Sequence, residues 1–75
     1  MKCAVKLIWN DESCKWRTSS DDVPGLLLES NSFDALIERV RLAAPELLEL
    51  NCDYTGPIQL SFEAERVDNL KAMVS

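Results

Sequence analysis

The hydrophobic pattern of this chain changes period twice, and that change limits the fold more than any single residue does. Residues 2–9, "KCAVKLIW", alternate: Cys3, Val5, Leu7 and Trp9 share one face, and Lys2, Ala4, Lys6 and Ile8 share the other. Residues 58–65, "IQLSFEAE", alternate as strictly, with Ile58, Leu60, Phe62 and Ala64 opposed to Gln59, Ser61, Glu63 and Glu65. A period of two belongs to a strand with one buried face. Between them, Phe33, Leu36, Ile37, Val40, Ala44, Leu47 and Leu48 recur at three- and four-residue steps, which is the apolar stripe of a helix. Strands at both ends with a helix between them call for a sheet covered by a helix.

The intervening residues supply the remaining strands. "NDES" is polar and short enough for a hairpin loop, and "CKWRTS" resumes the alternation with Cys14, Trp16 and Thr18 on the inner side. Pro24 and Gly25 suit the second and third positions of a type II turn, because proline presets φ and glycine accepts a positive φ. "LLLE" then reads as a short third strand. Ser32 is a good N-cap, and Asp34 sits favourably at the positive end of the helix dipole. Pro45 either kinks this helix or starts a separate last turn. Residues 51–57 read as a loop, and residues 67–75 as a tail after a domain of residues 1–66.

The expected fold is therefore α+β, in the order β-β-β-α-β. A right-handed crossover returns the last strand beside and parallel to the first, giving a four-stranded mixed sheet ordered 3-2-1-4 with the helix on one face.

Seventy-five residues make one domain with one thin core, and leave no room for a deep cleft. The net charge is −5. It divides into four basic and two acidic groups in residues 1–17 (+2), and four basic and eleven acidic groups in residues 18–75 (−7). An acidic balance argues against nonspecific nucleic-acid binding, which needs clustered Lys and Arg. The chain has three cysteines and no histidine. Scattered Cys3, Cys14 and Cys52 make no zinc signature, and a reducing cytoplasm is expected, with Cys3 and Cys14 as small buried hydrophobes. No signal peptide or membrane span is evident.

The derived strand order is that of a truncated ribonuclease H fold, so metal-dependent cleavage is the first chemistry to weigh. It needs several carboxylates converging on paired cations. The first strand carries no acid, Asp21 and Asp22 precede a turn, and Glu29 ends the third strand, so no catalytic residue, metal site or cofactor is expected. Without histidine, no Ser-His or Cys-His pair can form. The two tryptophans beside basic residues could stack on bases, but Trp16 falls on the core side of its strand.

"LIWNDESCKWRTSSDDVPGLLLES" followed by "SFDALIERVRLAAPELLEL" resembles the HicB-like antitoxin group. More specifically, it is similar to that group's short stand-alone branch, a domain of unknown function. The resemblance implies a partial ribonuclease H arrangement without catalysis, and a small ribonuclease toxin of the HicA type as partner. Better-known members add a C-terminal DNA-binding module. Residues 67–75 are too few for one, so this chain alone is not expected to bind DNA.

Expected contact residues follow from exposure. Asp21 and Asp22 close a turn and could also meet a basic surface. Ile8 and Leu27 should lie on the sheet face that the helix leaves bare, Trp9 ends its strand, and Leu70 and Met73 lie in the tail. An open third strand beside Leu27 suggests a homodimer through that strand and the uncovered face, whereas Glu63 and Glu65 guard the fourth strand. The alternatives to an antitoxin-like module are a stand-alone scaffold whose only partner is itself, and a remnant metal nuclease using Asp21, Asp22 and Glu29.

Overall fold

A computed structural model describes residues 1–70. Its elements are β1 (Lys2–Asn10), β2 (Lys15–Ser19), β3 (Glu29–Ser30), α1 (Phe33–Cys52) and β4 (Gln59–Glu65). They form one sheet in the order β3-β2-β1-β4. β1 is antiparallel to β2 and parallel to β4, with Lys2 facing Gln59 and Ile8 facing Glu65. The expected α+β class, strand order and single covering helix are all present.

α1 covers the face that carries Cys3, Val5 and Leu7. These residues are buried with Val23, Leu26, Leu36, Val40, Ala44 and Leu48. Each of the larger aliphatic side chains contributes about 1.5–3 kcal/mol by leaving water. The Ser32 hydroxyl caps the helix by accepting the Ala35 N–H at 3.3 Å. At the other end Asp53 adopts a left-handed conformation, and the N–H groups of Asp53 and Tyr54 donate to Glu49 O and Leu48 O.

The turn before β3 has the expected chemistry. Gly25 has φ +83°, and the Leu26 N–H donates to Val23 O at 3.3 Å. Thr18, the buried polar residue of the core, fastens this turn to β2. Its hydroxyl donates to Leu26 O at 3.1 Å and accepts the Leu28 N–H at 3.0 Å.

Several boundaries differ from the sequence expectation. The hairpin loop is Asp11–Cys14, with Asn10 facing Lys15, so Cys14 is exposed at φ 54° and not a buried strand residue. The asparagine decides this: Asn10 Oδ1 accepts the N–H groups of Glu12 and Ser13, drawing the turn one residue later. α1 runs unbroken through Pro45 to Cys52, because proline stands on the exposed side where the unpaired carbonyl can meet water. β3 is only Glu29–Ser30, since Leu26 and Leu28 are held by the Thr18 side chain as well as by backbone. Finally, α1 packs nearest β2 and β3, which leaves Leu60 and Phe62 of β4 half-buried and Ala64 exposed.

Candidate functional site

The acidic pair before the turn has a defined geometry. β1–β2 pairing ends at Lys6 and Ser19, so β2 has no further residue for Ala4. Side chains take its place: Asp22 Oδ2 accepts the Ala4 N–H at 2.7 Å, and Ser20 Oγ donates to Ala4 O at 2.7 Å. Ser20 Oγ also accepts the Asp22 and Val23 N–H groups, at 3.2 and 3.3 Å. A shallow cleft of about 270 Å³ opens beside them, lined by Lys6, Ser19, Asp21 and Glu63 among others. Glu29 is elsewhere. It faces Arg17, which faces Ile8, four residues along β1 from Ala4, or about 13 Å at 3.3 Å per residue. Among the described residues, no three of His, Cys, Asp and Glu form a group able to hold a metal ion.

On the bare sheet face Ile8 faces Arg17, and Arg17, Leu27 and Glu29 line one shallow hollow; Ile8 is half-buried and Leu27 is 85% exposed. Trp9 lies on the opposite face. Its ring meets Trp16 at 5.3 Å between centroids, and Trp16 meets Phe33 edge-on at 4.9 Å. The Arg66 guanidinium lies 4.4 Å from the Trp9 ring centroid and closes this aromatic row. Leu70 is 90% exposed beyond β4, and Met73 lies outside the described residues. The structure thus divides the expected contact residues among the bare face, the aromatic row, the β2–β3 turn and the tail.

Burial, helped by the nearby negative charge of Asp22, pushes the Cys3 thiol above its ordinary value. Cys14 and Cys52 are exposed and free.

One surface is absent from the sequence reading. Leu42 and Leu50 are 73% and 79% exposed on the outer side of α1. At 100° per residue, Glu46, Glu49 and Asp53 fall on the same side. The last turn of the helix holds no basic residue. Acids at a helix C-terminus oppose its dipole, at a cost of about 0.3–1 kcal/mol each. The signal was present in the sequence: both leucines fall outside the apolar stripe.

Fold and surface together define a small α+β protein with shallow clefts, whose accessible features are open edges, a half-bare sheet face and an acidic helix face. The chain belongs to the family described as "Domain of unknown function (DUF1902)", whose profile matches residues 2–74. It is similar in structure to the hypothetical protein TTHA1013 from the extremely thermophilic bacterium Thermus thermophilus. The TM-score is 0.79 at 34% identity, covering 93% of this chain and 100% of that one. No curated protein matches. No helix among the described residues is long and apolar enough to cross a membrane.

Proposed function

We propose that this chain is a noncatalytic, HicB-like binding module that neutralises or regulates a small basic protein in the cytoplasm, in the manner of an antitoxin holding a HicA-type toxin. The observation that carries this reading is the outer face of α1. Leu42 and Leu50 stand in water beside Glu46, Glu49 and Asp53, and the last two of these acids oppose the dipole at the end of the helix. A cationic partner would cover the leucines and balance the charges, and complementary charge also speeds encounter. Asp22 supports the noncatalytic part, because its carboxylate already serves the β1 backbone.

The test first asks whether a reading frame beside this one encodes a small basic protein, and titrates the chain against that product; a neighbourhood without one counts against the antitoxin reading. Tight binding is expected, weakened at least tenfold by the double change Glu46→Lys and Glu49→Lys and relieved by salt. Absence of binding, or insensitivity to both changes, rejects the docking surface. RNA cleavage by the chain alone with magnesium or manganese, abolished by Asp22→Asn, rejects the noncatalytic reading.

A further inference from the structure

The open edge of β4 has a parity that selects its own copy. The Gln59 N–H donates to Met1 O at 2.8 Å, and Gln59 faces Lys2 in the parallel ladder. In a parallel pair, alternate residues direct both backbone groups to the neighbour. Gln59, Ser61, Glu63 and Glu65 therefore bond inward to β1. Leu60, Phe62 and Ala64 present their N–H and C=O groups to the outside, on an edge with no strand beyond it among the described residues. Their side chains all lie on the helix face, half-buried at Leu60 and Phe62 and exposed at Ala64.

We infer that β4 pairs antiparallel with β4 of a second copy, about a two-fold axis at Phe62. The residue numbers of facing positions then sum to 124. Phe62 faces Phe62 of the second copy, and Leu60 faces its Ala64, so the outward groups exchange bonds in closely spaced pairs. Their side chains join into one apolar strip across the seam. The charges fit this register. Glu63 faces Ser61 and Glu65 faces Gln59, so the acids that guard the edge in a naive alignment meet neutral amide and hydroxyl groups, not one another.

The opposite edge of the sheet offers less. β3 has two residues, and its outward Glu29 carbonyl already accepts from the Arg39 guanidinium at 3.2 Å. The dimer expected from the sequence is thus assigned to the fourth strand and not to the third. This assignment is independent of the toxin reading.

Amide hydrogen exchange of the full chain, followed by NMR at 100 µM and higher, tests the seam directly. All amides from Leu60 to Ala64 should exchange slowly, and sedimentation equilibrium should give two chains. Ala64→Pro removes only an outward donor; it should shift the mass to one chain and leave fast exchange at Leu60 and Phe62 but slow exchange at Ser61 and Glu63. Should the proline variant unfold, Ala64→Lys, at an exposed side chain, reads the same seam. A monomer with alternating slow and fast amides in the unaltered chain overturns the inference. So does a dimer that survives Ala64→Lys but is lost in Leu27→Lys, which places the seam at β3.

Discussion

Asp22 completes the hydrogen bonding of Ala4 where β2 has ended: its carboxylate accepts the Ala4 N–H at 2.7 Å, as a neighbouring strand would. The pair ties the β2–β3 turn to the central strand across eighteen residues of chain.

Asp22→Ala should therefore lower stability by about 1–2 kcal/mol, the usual cost of losing a hydrogen bond to a charged acceptor at a site water can reach. Asp22→Asn keeps an acceptor oxygen and should lose less than half of that. Urea unfolding of the two variants measures the difference. Equal loss in both would show that the charge, and not the bond, is what matters.

The three thiols should divide two to one. A thiol-reactive probe at pH 7 should label Cys14 and Cys52 quickly and Cys3 only as the chain unfolds, because Cys3 is 1% exposed. Its raised pKa has a consequence for pH. The folded value lies above the ordinary 9.0, so the stability that the neutral thiol contributes is complete below that value. It is lost as pH rises through 9 toward the folded value. Cys3→Ala should remove this alkaline slope, as read from melting temperatures between pH 8 and 10.

Asp53 combines a left-handed backbone with a negative charge at the end of α1. Asp53→Gly relieves both and should raise stability by about 1 kcal/mol. The same change should weaken a basic partner. A variant that is more stable and binds less tightly is the expected signature of a residue kept for contact.

Arg66 lies over the Trp9 ring, and both tryptophans share one row with Phe33. Arg66→Ala should shift tryptophan fluorescence and near-ultraviolet circular dichroism, yet cost only about 0.5–1 kcal/mol. Unchanged spectra would place the guanidinium in water.

The periodicities carried the architecture because each reports one buried face. Cys3, Val5 and Leu7 alternate on β1, Leu36, Val40, Ala44 and Leu48 step around α1, and the structure buries both sets against each other. Gly25 and Ser32 were legible because few residues tolerate a positive φ or serve as an N-cap. What escaped was set by side chains reaching across the chain. Asn10 moved the hairpin turn and exposed Cys14. Thr18 held Leu26 and Leu28, shortening β3. Ala64 alternates correctly but stays exposed, since periodicity gives the face of a strand and not how far a helix reaches across it. Leu42 and Leu50 lie off the helix stripe, so the period that reports the core says nothing of them.

The central strand is made first and finished last. β1 meets β2 through a tight turn, with Asn10 facing Lys15, but its other side waits for residues 59–65, with Lys2 facing Gln59. Closing that long loop is an entropic cost met before any bond of the parallel ladder repays it. During synthesis the hairpin and helix can gather early, while Leu7 has a strand neighbour on one side only and Cys3 and Val5, beyond the end of β2, have none. Arrival of the last strand then completes the sheet. A chain cut before residue 59 would keep its secondary structure in fragments and expose its middle strand to any passing edge.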